Sequence, residues 1–254
     1  MRALTLNQLI SWTPPHQPWI IDLDILIEQG TMMVYGAKET WKSMLFNMHL
    51  PYCVARGVDW FGFHTKQSPV LVFQTEVPQV QQRKRLIKYA MNNHITSDMV
   101  WYWSELYMKV DKGWGFSELE KEVMACQPKL LVIDPLFSSV TGNLLDDYDM
   151  GQFMDRLDSL RAKYKLAIVI VHHSRIPEHT EGVTFHYGSE ELFGTSRWER
   201  WLDTIIYITK DNDDPNTQLV DLTLTFEKTR HTETKLAPMK VQVDRKTLMF
   251  RRTQ

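Results

Sequence analysis

The sequence is poor in the features that would tie it to a membrane, to an oxidising compartment, or to duplex DNA by charge alone. Only two of its 254 residues are cysteine. Cys53 and Cys126 lie far apart and show no metal-ligand spacing, so no disulfide framework is expected and a reducing cytoplasm is the expected setting. No apolar run approaches the ~18–20 residues of a membrane span, and no signal-type apolar core stands near the N-terminus. No membrane partner is therefore expected. Neither sign of charge is in excess: 29 Lys and Arg face 31 Asp and Glu, a formal net charge of −2. This argues against wrapping of a duplex by bulk charge but leaves room for a narrow basic site. Repeats, low-complexity tracts and linkers are lacking too. One α/β domain over residues 1–254 is the expectation, with residues 1–19 as a lead-in. Pro14, Pro15 and Pro18 rule out a helix through 13–18.

What the chain does have is enough apolar material for a sizeable core, 43% of all residues. Its nine tryptophans read mainly as packing rather than as base-stacking platforms. Runs suited to buried strands stand at 31–35, 69–73, 100–107, 130–133, 166–171 and 202–208. Helical periods cover 41–56, 79–93, 116–125 and 146–163. Pro51 predicts a kink in the first helix and Gly57 its end. Ser117 and Glu120 have the spacing of a capping box for the third. In the fourth, Met150, Phe153, Met154, Leu157 and Leu160 share a face, and acidic first turns suit the helix dipole. Residues 19–29 are apolar but ambiguous. Residues 219–226 alternate as a strand, and 238–243 with 247–252 read as a closing hairpin. Residues 175–191 carry no period and read as a long loop, of a length that is usually functional or mobile. Strands alternating with helices argue a mostly parallel sheet with helices on both faces and a C-terminal antiparallel extension.

The stretch from Gly36 to Ser43, Gly-Ala-Lys-Glu-Thr-Trp-Lys-Ser, follows a buried strand and opens a helix. It is nearly the phosphate loop G-x-x-x-x-G-K-[ST]. In such a loop backbone N–H groups point inward at phosphates ahead of a helix N-terminus. Lys42 would reach the β- and γ-phosphates, and Ser43 would hold Mg²⁺. Lys38 is a further cation within the loop. The misfit is Trp41, which replaces the second glycine. If the backbone there needs a positive φ, a non-glycine residue costs on the order of 1–3 kcal/mol.

Other residues have the chemistry such a site requires. Asp134 ends the apolar strand at 130–133, where a carboxylate could steer Mg²⁺ through water, although an ordinary turn-initiating Asp before Pro135 is common. Glu76 lies just past the second strand, placed to polarise water, yet most such glutamates are solvated. His172 and His173 end the fourth strand. Neighbours on a strand face opposite ways, so a zinc site using His172, His173 and His179 is the weaker reading. A buried structural histidine accounts for one of the pair. Lys228 and Arg230 follow the strand at 219–226. They read either as a solvated sheet edge or as fingers reaching a neighbour's phosphates, and the spacing alone favours the former. The charge run Arg83, Lys84, Arg85 and Lys88 reads as a solvated helix face.

Taken in order, Gly-Ala-Lys-Glu-Thr-Trp-Lys-Ser, Gln-Thr-Glu, Leu-Val-Ile-Asp-Pro-Leu, Ile-Val-His-His-Ser-Arg, Gly-Ser-Glu-Glu-Leu-Phe-Gly-Thr-Ser-Arg-Trp and Phe-Glu-Lys-Thr-Arg-His resemble the motif series of RecA-like ATPases. The resemblance covers residues 20–250 and is nearest to RepA-type hexameric replicative helicases and their AAA-25-like relatives. It implies ATP and Mg²⁺ as cofactors, bound by Gly36, Ala37, Lys38, Glu39, Thr40, Trp41, Lys42 and Ser43, with Ser43 and Asp134 on the metal. It implies Glu76 as catalytic base and His173 as γ-phosphate sensor. Lys228 and Arg230 would act in trans at a subunit boundary, and the 174–191 loop would face single-stranded DNA in a hexameric ring. The expected function is an ATP-hydrolysing, ring-forming motor on single-stranded DNA, a replicative helicase of plasmid or phage type. A recombination mediator or helicase loader without unwinding is one alternative. A nucleotide-binding assembly regulator without turnover is the other.

Overall fold

The structure is a computed structural model that describes residues 3–13, 19–93, 96–173, 196–212, 214 and 216–253. Its centre is a nine-stranded sheet in the order β11-β10-β9-β8-β3-β7-β6-β4-β5. The strands β3 (Thr31–Tyr35), β4 (Val70–Gln74), β5 (Val100–Ser104), β6 (Leu130–Asp134), β7 (Ala167–Val171) and β8 (Thr204–Lys210) pair in parallel. Then β9 (Leu219–Thr229), β10 (Met239–Asp244) and β11 (Phe250–Arg252) add the antiparallel extension. Every residue of β3, β4, β6 and β7 is buried. That explains their unbroken apolar runs, since a parallel strand is covered on both faces.

The pleat of β3 divides the core. Met32 and Val34 join a cluster with Leu45, Phe46 and Trp60 on one face. Met33 and Tyr35 join Phe153, Leu157 and Trp198 on the other. The first face is covered by a helical segment, α2 (Lys42–Met44), one wide π turn over Leu45–His49, and α3 (Leu50–Arg56). Pro51 stands at the start of α3. It has no N–H to return to the preceding turn, so the ladder is irregular where the sequence predicts a kink. Gly57 ends α3 with φ 64°. Beside it α4 (Gln79–Asn93) packs Leu86 and Tyr89 on Met48. On the second face lie α5 (Gly113–Cys126), the short α6 (Leu136–Ser139), α7 (Asp147–Tyr164) and α8 (Arg197–Trp201). In α7 the predicted stripe is buried, and Asp146 caps the helix by accepting from the backbone of Tyr148 and Asp149.

Four details depart from the sequence reading. Ser117 does not cap α5: the helix begins a turn earlier at Gly113, and the Ser117 hydroxyl donates to the Gly113 carbonyl at 2.9 Å. The ambiguous 19–29 segment is a small antiparallel ribbon, β1 (Trp19–Ile21) and β2 (Leu26–Ile27). The strand at 219–226 continues to Thr229, so Lys228 lies within it rather than beyond it. Finally, the lead-in holds a helix, α1 (Leu6–Ser11), closed by a Thr5–Gln8 capping box. The long loop at 175–191 lies outside the described residues.

Candidate functional site

The parallel strands bring the predicted residues to one edge. Tyr35 and Gln74 end β3 and β4, Asp134 ends β6, and Val171 ends β7, all at the C-terminal edge of the sheet. In parallel α/β sheets ligands bind at that edge. There the 36–43 loop leaves β3 and turns into α2.

Gly36 is a glycine for a steric reason. A Cβ on it would lie 2.3 Å from the Ile208 carbonyl oxygen of β8. The turn then passes twice through the left-handed region, at Glu39 (φ 62°) and Trp41 (φ 64°). Position 41 thus takes the backbone conformation that favours glycine, and it does so with an indole. The Trp41 ring is half-buried, packed on both the Phe46 side of the core and the Met48–Tyr89–Leu248 cluster. The guanidinium carbon of Arg245, in the β10–β11 turn, sits 5.9 Å from the ring centroid.

Lys42 is buried and commits its ammonium to the loop. It donates to the carbonyls of Gly36 at 2.9 Å and Ala37 at 2.5 Å and to the Thr40 hydroxyl at 2.9 Å. Burial lowers its pKa to about 8, while the charges of Asp134 and Glu76 hold it from falling further. Thr40 is itself buried and donates to Ala37 at 2.9 Å. Ala37, Lys38 and Glu39 stay exposed.

Asp134 is 6% exposed, and its carboxylate is held by the helix that follows the loop. Ser43 hydrogen-bonds to it, and Asn47 donates to Oδ2 at 2.5 Å. Burial raises its pKa to about 6. The bonds from Ser43 and Asn47 and the charge of Lys42 oppose that rise, and Glu76 adds to it. Glu76, two residues past β4, is exposed and lies in the same cleft as Lys42. Strand β4 is the neighbour of the Asp134 strand, with Gln74 registered opposite Asp134.

The two histidines separate. His172 is 1% exposed, with its backbone N–H on the Val34 carbonyl at 2.8 Å. His173 lines the cleft. Burial, then Lys42 and Lys38, lower its pKa, which keeps the ring neutral at pH 7. His179 lies outside the described residues, and no group of three metal-ligating side chains occurs among the described ones.

The cleft holds about 490 Å³ and is lined by Lys42, Ser43, Glu76 and His173 together with three cations the sequence reading did not place there, Arg85, Lys210 and Arg245. Arg85 belongs to the charge run read as solvated. Lys210 had a signal: its strand runs parallel to β3, so its end reaches the same edge. Arg245 and Asn47 had none, since both arrive through tertiary contacts. A larger cavity of about 560 Å³ lies between α4 and β5, but its lining is mostly apolar and, among the described residues, Arg83 is the only charged one. It does not gather reactive groups.

Lys228 and Arg230 are elsewhere. Thr229 pairs with Thr204 at the start of β8, whereas Lys210 at its far end lines the cleft. Seven residues of strand separate these ends, about 20 Å at ~3.3 Å per step. Arg230 is ion-paired with Asp203 at 2.8 Å and also donates to the Arg200 carbonyl, while Lys228 donates to the Glu199 carbonyl. Neither cation reaches the cleft of its own chain.

The sequence matches the AAA_25 family, an AAA domain, over residues 1–178. The chain belongs to this family. The matched stretch contains Lys42, Ser43, Glu76, Asp134 and His173, and the AAA_25 chain carries them on one edge of an ATPase-type fold. Among solved structures, one ATPase domain superposes with a TM-score of 0.63 at 11% identity, over 89% of this chain and 86% of that one. That likeness shows the fold, which is RecA-like. No curated protein matches the sequence. No described helix is long and apolar enough to cross a membrane.

Proposed function

We propose that this AAA_25 chain is a cytoplasmic ATPase that assembles into a ring and moves on single-stranded DNA, with residues 1–254 forming one RecA-like domain. The observation that carries the ATPase reading is the convergence of Lys42, Ser43, Glu76 and His173 on one cleft beside the Ser43–Asp134–Asn47 network.

Each residue acts through its own chemistry. Backbone N–H groups of 37–42 cradle the phosphates, and Lys42 neutralises the β- and γ-oxygens. Glu76 orients the attacking water for in-line displacement. Neutral His173 donates a hydrogen bond to the γ-phosphate and reports its loss after cleavage. The Ser43 and Asp134 pair fits a Mg²⁺ ion. A buried carboxylate whose charge is disfavoured by desolvation and by Glu76 is stabilised by a cation at that spot. When bound, Mg²⁺ would neutralise charge developing on the β- and γ-oxygens.

Two observations support assembly. The offset of about 20 Å along β8 keeps Lys228 and Arg230 out of their own cleft, in keeping with the trans role the resemblance implies, in which they exchange their contacts with Asp203, Arg200 and Glu199 for a neighbour's phosphates. Helix α1 buries none of its residues, and Leu6 and Ile10 are each 73% exposed. A capped helix with its apolar side chains in water is suited to docking on another copy. The hexameric count, the replicative-helicase role and the DNA contact by 174–191 rest on the resemblance to RepA-type helicases.

The test is phosphate release with and without single-stranded DNA, alongside the mass of the nucleotide-bound assembly. DNA-stimulated release by a ring, abolished by Lys42→Ala, supports the proposal. A monomer indifferent to DNA and to Arg230→Ala contradicts it. Trp41 in a left-handed conformation favours one rival, a regulator that binds ATP without turnover, and release no faster than that of Lys42→Ala would establish it. Fork unwinding separates the helicase from a mediator or loader.

A further inference from the structure

The sequence leaves Trp41 as a fault in a phosphate loop. The structure gives the ring a partner. Arg245 comes from a distant turn, holds its guanidinium carbon over the indole ring 5.9 Å from the centroid, and lines the same cleft as Lys42 and Ser43. We propose that Trp41 and Arg245 form a phosphate clamp within one chain: the indole positions the guanidinium, and Arg245 donates to phosphate oxygens of the bound nucleoside triphosphate.

Three observations carry this. First, the turn that presents Arg245 is fixed. Asp244 Oδ1 accepts from the backbone of Lys246 at 2.6 Å and Thr247 at 3.1 Å. The backbone N–H of Arg245 donates to the Gln218 carbonyl at 2.8 Å, and Lys88 of α4 donates to the Arg245 carbonyl at 2.7 Å. Leu248 anchors the same turn on Met48 and Tyr89, beside the segment that follows the loop. Secondly, a guanidinium held over an aromatic ring by cation–π attraction keeps N–H donors for other partners, and its planar edge matches phosphate geometry. Thirdly, Trp41 occupies a backbone conformation in which a bulky residue is strained. The ring held at that position is the one over which the Arg245 guanidinium lies. The cation therefore comes from the same chain as the loop, unlike Lys228 and Arg230.

The inference rests on the nucleotide reading of the cleft. Its test measures affinities for ATP and for adenosine by competition with a fluorescent ATP analogue. The proteins are the full chain, Lys42→Ala, Arg245→Ala, Arg245→Lys, Trp41→Gly, Trp41→Phe and the Trp41→Gly/Arg245→Ala double variant. Glycine adopts φ 64° freely, so Trp41→Gly removes the ring while leaving the loop backbone its conformation. We expect Arg245→Ala to weaken ATP about 10-fold or more, as loss of a charged hydrogen bond does, and adenosine less than about 2-fold. Trp41→Gly should lose part of the same effect and Trp41→Phe should retain it. The double variant should be no worse than Arg245→Ala. Arg245→Lys should recover little, because an ammonium lacks the stacking face. ATP affinity unchanged in Arg245→Ala overturns the clamp, as do multiplying effects of the two single variants or equal losses for ATP and adenosine. A full chain that binds ATP no better than Lys42→Ala overturns the nucleotide reading itself, and the clamp with it.

Discussion

Asn47 donates to Asp134 at 2.5 Å although 87 residues separate the two in the chain. Ser43, one turn before Asn47, bonds the same carboxylate. The helix following the loop thus holds the strand-end carboxylate from two rungs of one face. Asn47→Ala should lower ATP turnover about 10-fold and raise the Mg²⁺ needed for half-maximal rate, through loss of a charge-assisted bond. Steady-state ATPase titrated with Mg²⁺ checks it. An unchanged Mg²⁺ requirement would count against this role.

Asp134 also links stability to pH. Its folded pKa, about 6, lies above its ordinary 3.8, so the folded state binds the proton more tightly. Its contribution to stability is therefore full below pH ~4 and is lost as pH rises through 6. By about pH 8 this costs on the order of 3 kcal/mol. Asp134→Asn should raise the melting temperature by several degrees at pH 8 and by much less at pH 4.5, while abolishing turnover. Thermal melts at the two values test the sign.

The ratio kcat/KM, which reports the free enzyme, should follow a bell in pH. The acid limb, near 6, reflects protonation of Asp134. The alkaline limb, near 8, reflects loss of the Lys42 charge, whose folded pKa is about 8. Bound phosphate favours protonated Lys42, so binding above pH 8 should take up a proton. ATP affinity measured from pH 5 to 9.5 should fall roughly 10-fold per unit at the alkaline end.

Helix α1 gives a separable prediction. Leu9→Asp with Ile10→Asp alters exposed side chains and should leave fold and nucleotide affinity intact while reducing the assembled mass. Mass photometry beside nucleotide titration reads both. Assembly at unchanged concentration would remove α1 from the interface.

Much of this arrangement was legible because strand ends announce themselves. The runs at 130–133 and 166–171 fix where Asp134 and His173 emerge, and parallel pairing brings those ends together. Gly36 and Lys42 are local motif residues. Ser117 was misread because a capping spacing also occurs inside helices, where the hydroxyl bonds back a turn. Asn47, Lys210 and Arg245 depend on contacts between elements far apart in sequence, which no local period encodes. The meaning of Trp41 belongs with them, since its partner lies 204 positions later in the numbering of the chain.

If each working site is built from two chains, as proposed, two inactive variants should restore each other. Glu76→Gln lacks the base in its own cleft, and Arg230→Ala lacks the cation it would lend to a neighbour. Each variant alone should show little turnover. When the two are mixed under assembly conditions, some sites pair an intact Glu76 with a neighbour's intact Arg230, and ATPase activity should return to a measurable fraction of the parent rate. A mixture no more active than its components, with mixed assemblies verified by mass, would contradict the account.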